Sequence, residues 1–153
     1  MNIHVSPSGA KTATKTIKIN APPAKVWDVL TNPAFMKKWI SETEVDILTD
    51  WQVGSPIITR GNLHRVNFEN KGIVLQFEPG KVLEYTHLSS ISRLRDEPEN
   101  YSIFEFRLTP IENQTTLMLT LSNFPTETIY KHLIFYWNVT LEIIKKMVEE
   151  QEG

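Results

Sequence analysis

Cysteine is absent from the 153-residue sequence. Disulfides, thiolate nucleophiles and cysteine-ligated metals are therefore excluded together, and the absence is compatible with a reducing cytosol. Long apolar runs are absent as well. No stretch approaches the ~20 residues of a membrane span, and the opening Met1–Lys15 has no apolar run of signal-peptide length. The expectation is a chain without a membrane span, located in the cytoplasm. Neither charge is in useful excess: 16 Lys and Arg against 18 Asp and Glu leave a net charge of −2. With no basic cluster, there is no electrostatic case for nucleic acid or an anionic membrane as partner. Gly54, Gly61, Gly72 and Gly80 stand apart and suit turns, and no serine lies in a GxSxG pattern, which disfavours a nucleotide site and an elbow-type nucleophile. The four histidines, His4, His64, His87 and His132, show no HExxH or two-histidine–carboxylate spacing. No metal, no cofactor and no strong catalytic constellation is expected.

What is present is hydrophobic patterning. The run Thr126–Glu150 is the one long helical pattern: Ile129, Leu133, Tyr136, Trp137, Thr140, Leu141, Ile144, Met147 and Val148 fall on one broad face at 100° per residue. Thr126 is placed to cap this helix. Before it, Thr12–Asn20 alternates as a first strand. Two short helices follow, one opening at Ala21-Pro22-Pro23 and one over Pro33–Trp39 capped by Asn32. Strands are then read at Glu42–Leu48, Pro56–Arg60, Gly72–Glu78, Lys81–Leu88, Tyr101–Thr109 and Thr115–Ser122. Ile73, Leu75 and Phe77 are expected on one face. Gly61–Asn70 is polar and suits a long hairpin end, and Ser89–Asn100 a charged loop. No crossover helix separates these strands, so the sheet should be antiparallel. Residues 1–11 read as a flexible lead-in and 12–153 as one domain.

The segment IKINAPPAKVWDVLTNPAFMKKWI resembles the N-terminal signature of the Bet v 1-like/START-like (SRPBCC) superfamily. WQVGSPI, GIVLQFEPGKVLEYTHLS and TTLMLTLSNF, followed by a helix with YWNVTLEIIKKMVE, are similar to the activator of Hsp90 ATPase homologue group within it. The resemblance runs from about Thr14 to Glu150. It implies an α+β helix-grip fold: a curved seven-stranded antiparallel sheet around a long C-terminal helix, with two short helices after the first strand. It leaves function open, because that superfamily includes lipid carriers, receptors, cyclases and co-chaperone domains. The chain also departs from the eukaryotic co-chaperone in having room for a single domain, which speaks against a full Hsp90-stimulating activity.

Three functional readings follow. In the first, Trp39, Trp51, Phe77, Tyr85, His87, Phe104, Phe106, Tyr130 and Tyr136 line a cavity between sheet and helix that holds a small hydrophobic or aromatic ligand. The same rings also suit a filled core, and His87 on an inward face also suits a core histidine. In the second, the domain is a co-chaperone-like interaction module. Phe135, Val139 and Ile143, with His132, form a stripe beside the polar arc of the long helix, a place for the N-terminal helices, for a second copy in a homodimer, or for a protein partner such as a chaperone. In the third, a cyclase- or hydrolase-like enzyme uses His87 and a tyrosine. Glu42, Glu44 and Asp46 share a strand face and read as its solvated side, as do Glu105 and Arg107, taken as cross-strand partners.

Overall fold

The computed structural model describes residues 2–5 and 11–150. Eight strands form one antiparallel sheet in the order β1-β2-β8-β7-β6-β5-β4-β3. They are β1 (Asn2–Val5), β2 (Lys11–Ile19), β3 (Val45–Thr49), β4 (Pro56–Leu63), β5 (Val66–Glu78), β6 (Val82–Ser89), β7 (Ser102–Ile111) and β8 (Gln114–Ser122). Helices α1 (Pro23–Thr31) and α2 (Pro33–Ile40) follow β2, and α3 (Glu127–Glu150) closes the chain. The seven expected strands are all present and curve around α3 in a helix grip. The eighth strand corrects the reading of residues 1–11 at one point: Asn2–Val5 pairs with Lys11–Thr14 of β2 at the sheet edge.

The helix pair has a topological task. β2 lies near one edge of the sheet and β3 forms the other, so the chain must cross the whole concave face between them. Pro22-Pro23 starts α1 without needing amide partners, and Asn32 ends it and caps α2, its Oδ1 accepting from the Ala34 amide at 3.0 Å. Trp39 then fixes the V-shape, its Nε1 donating to the Val29 carbonyl at 2.8 Å from a buried position.

Alternation holds along β7 and β8. Phe104, Phe106 and Leu108, and Leu117, Leu119 and Leu121, are all buried in the core, the two phenylalanines against Trp137 of α3. It fails in β5. Val74 pairs with Tyr85, but Gln76 pairs with Glu84, so one residue is inserted at Leu75. This bulge turns Phe77 inward, while Ile73 and Leu75 stay exposed and Val74 is fully buried. The expected common face of Ile73, Leu75 and Phe77 is therefore split. The strand read from Glu42 begins only at Val45, and Glu42 and Glu44 lie exposed ahead of it. Gly61–Asn70 is indeed a hairpin end, closed by His64 and Arg65 with φ of 51° and 67°. Arg107 bonds Glu105 two residues back on its own strand (Nε to Oε1, 3.0 Å) rather than across the sheet.

Candidate functional site

The aromatic residues named from sequence converge in the grip. Trp51, at the turn after β3, stacks on Phe77 with centroids 5.4 Å apart and meets Tyr85 at 6.4 Å. Tyr85 meets Phe104 edge-on at 5.5 Å and stacks near Phe106 at 6.2 Å. Both phenylalanines meet the Trp137 indole edge-on, at 5.5 and 5.4 Å, and Trp39 and Tyr136 close on it from α2 and α3. Polar handles are anchored to backbone: Trp51 Nε1 donates to the Thr31 carbonyl at 2.9 Å and the Tyr136 hydroxyl to the Ile40 carbonyl at 2.7 Å. Both tie α3 and the β3–β4 turn to the helix pair. Trp51 needs that anchor, since its φ of 58° is a conformation that costs a non-glycine residue about 1 kcal/mol. Tyr130 stands apart, buried beside Phe124 with Lys11 Nζ 4.6 Å above its ring. Trp27, not singled out from sequence, joins the cluster through Phe77 at 5.3 Å. Its place on α1 beside Val26 gave it the appearance of one more helix-face residue.

His87 is half-buried and stacked on Phe104 at 4.9 Å. Burial pushes its pKa down to about 4, with a smaller contribution from His132, so the imidazole is neutral. Burial pushes the Tyr85 phenol well above its ordinary range and that of Tyr136 up to about 12. A histidine and phenols displaced this far on opposite sides of neutrality make a poor acid–base pair near pH 7. Among the described residues, two buried side-chain polar atoms lack any partner: the Trp137 Nε1 proton donor and Asn70 Oδ1 on β5. Sequence reading assigned Trp137 to the core and left Asn70 in a hairpin. A lone indole N–H or amide oxygen announces its lack of a partner only once its neighbours are placed.

Two open grooves lie away from this cluster. One, of about 770 Å³, lies at the end of β3–β5 and is lined by residues such as Glu44, Asp46, Arg60, Phe68 and Glu69. The other, of about 380 Å³, lies between the starts of β6 and the end of β7. Within the grip, rings occupy the space: Phe104, Phe106 and Trp137 are at most 2% exposed. No group of three or more His, Cys, Asp or Glu side chains among the described residues is arranged for a metal. Among the described residues, no helix is long and apolar enough to cross a membrane.

The outer face of α3 is the opposite case. Phe135, Val139 and Ile143 are 72%, 47% and 40% exposed, so neither α1 nor α2 covers them. At i, i+4 and i+8 they form a stripe about 12 Å long. Lys131, His132 and Glu142 are exposed beside it.

A curved antiparallel sheet closed on a long C-terminal helix, with a helix pair crossing its inner face, defines a helix-grip domain of the START-like class. The chain belongs to the AHSA1 family: the family model described as activator of Hsp90 ATPase homolog 1-like protein matches residues 20–149. Among solved structures, ChR145 from Cytophaga hutchinsonii is 35% identical, with 99% of this chain and 98% of that chain covered and a TM-score of 0.76. A structure described as the Aha1 dimer from Colwellia psychrerythraea is 27% identical over 93% and 98% of the chains, with a TM-score of 0.71. The protein MLL2253 from Mesorhizobium loti shares the fold at 24% identity over 91% and 97%, with a TM-score of 0.72. No curated protein matches the sequence.

Proposed function

We propose that this domain is a non-catalytic protein-interaction module of the co-chaperone type. The observation that carries this is the contrast between its two sides: the grip is packed with rings, while apolar side chains stand exposed on the outside of α3. A carrier needs an interior volume, and an interaction module needs accessible apolar surface. The family description supports a chaperone ATPase of the Hsp90 class as partner, and the Colwellia relative supports self-association. The test is to titrate the purified domain into an Hsp90-class chaperone and follow ATP hydrolysis. A saturable change in rate is expected. Unchanged hydrolysis, with no binding by calorimetry up to about 100 µM, removes the chaperone as partner.

One observation favours a second reading, the small apolar ligand. The Trp137 N–H is buried without a partner, and neutral His87 and Tyr85 lie against the same Phe104 ring. A molecule carrying one hydrogen-bond acceptor on an apolar body would suit these groups, after side chains of the grip move aside. Native mass spectrometry of the purified protein separates the readings: a discrete small molecule lost on denaturation supports the ligand, and an unliganded mass supports the module.

A further inference from the structure

We infer that the outer face of α3 pairs with the same face of a second copy of this chain, the two helices running antiparallel about a two-fold axis midway between Phe135 and Val139. The inference rests on the reading of the domain as one that works through its surface, and it names the occupant of the α3 stripe. An isologous contact must be self-complementary, residue i meeting residue j and j meeting i. An axis between Phe135 and Val139 achieves this for the most exposed ring, which then packs on Val139 of the partner subunit.

Charge selects this arrangement over its competitors. On α3 the charges used within the chain lie on the flank towards β2: Lys11 bonds Glu127, Lys145 bonds Glu149, and Glu149 also accepts from the Asn20 amide. Lys131 and Glu142 are exposed and, among the described residues, neither is in an ion pair within 4 Å, Lys131 acting only at longer range on Glu127 one turn earlier. His132 precedes the axis by five residues and Lys131 by six, while Glu142 follows it by five. Two-fold pairing therefore sets the partner's Glu142 level with His132 and about 1.5 Å along the helix axis from Lys131, twice. Lys146 falls opposite the partner's Thr128, so no like charges meet, and the Lys131 stem covers the partner's Ile143. A parallel pair would set Lys131 on Lys131 and Glu142 on Glu142. An antiparallel pair centred on Val139 would set His132 against Lys146. Both lose the complementarity. One helix face per copy is a small interface, so the dimer should be weak, with Kd on the order of 10–100 µM.

The test is sedimentation equilibrium of the full chain with charge-swapped variants. The unmodified protein should show a monomer–dimer equilibrium, and Phe135→Glu should weaken it at least tenfold with an unchanged circular dichroism spectrum. Lys131→Glu and Glu142→Lys should each weaken it, and the double variant should return to within about threefold of the starting Kd, as expected when opposite charges face each other. A chain that stays monomeric at 500 µM (roughly ten times the expected Kd), a dimer indifferent to Phe135→Glu, or a double swap weaker than either single swap each overturns the proposal. Chaperone ATPase rates measured on the same samples keep the two readings apart. A monomer that changes those rates retains the interaction module and discards this dimer, while a dimer without effect does the reverse.

Discussion

At the scale of single residues, the molecule depends on a few positions where one side chain or its absence controls a strand or helix. Gly72 is the sharpest. A Cβ there would lie 1.7 Å from the Thr86 carbonyl oxygen, inside the β5–β6 ladder just before the bulge. Backbone cannot yield as a flexible side chain can. Gly72→Ala should cost about 3 kcal/mol, read as a lowered urea midpoint with unchanged slope. His87 makes stability depend on pH in a defined window. Its folded pKa near 4 lies below the unfolded value of 6.5, so between those values the unfolded chain binds the extra proton. Stability is whole above about pH 6.5 and falls as pH drops towards 4. Partial exposure discounts the effect to on the order of 2 kcal/mol. Urea unfolding at pH 7 and pH 4.5 should show a larger loss for the unmodified protein than for His87→Gln. Equal losses would mean that the imidazole is already charged in the fold. At Trp137, replacement by Phe removes an unpaired N–H together with some packing, and the two effects oppose. The net change should stay within about 1 kcal/mol, checked by thermal melting.

At the scale of elements, α3 is set by its start and its two faces. Thr126 Oγ1 accepts from the Ile129 amide at 3.1 Å, and Glu127 sits in the first turn held by Lys11. That ion pair keeps the Glu127 carboxyl below its ordinary pKa. Thr126→Ala should destabilise by about 1 kcal/mol, and Thr126→Ser should restore most of it, by chemical denaturation. The inner face was readable from period alone, since Leu133, Trp137, Leu141, Ile144 and Val148 repeat at helical spacing and are all buried. The outer stripe of Phe135, Val139 and Ile143 was readable as an anomaly. Period cannot say whether α1, α2 or solvent lies against it, because that depends on where the crossing helices come to rest. β5 shows the complementary limit. Its alternating sequence gives no sign of a bulge, which shows only in the pairing of β5 with β6, where the register shifts between Val74 and Gln76.

At the scale of the whole molecule, a sheet of eight strands and one long helix encloses a single core, and the question is whether that core leaves room. The aromatic residues expected to line a cavity are brought together, with Tyr130 at its own site, but they meet one another at centroid distances of 4.9 to 6.4 Å. Space for a ligand depends on rotamers and helix placement to within about an ångström, and composition carries no such information. The outside of the sheet is likewise partly closed. The Ser89–Asn100 loop folds back over it, with Lys71 paired to Asp96 and the Glu69 amide donating to Ser90 Oγ, and this leaves Leu88 buried on a face where alternation would expose it.

Seven principal strands, the helix pair with its Pro and Asn punctuation, and the inward face of α3 are legible in the amino-acid order. These follow from local periodicity, capping and chirality, which act over a few residues. The absence of cysteine chemistry was likewise complete in composition. Packing sets the rest: rings crowd the grip, Trp137 keeps an unpaired N–H, His87 is held neutral, and Phe135, Val139 and Ile143 face outward. Each of those depends on which distant side chains share a volume, a matter of packing between elements far apart in the chain.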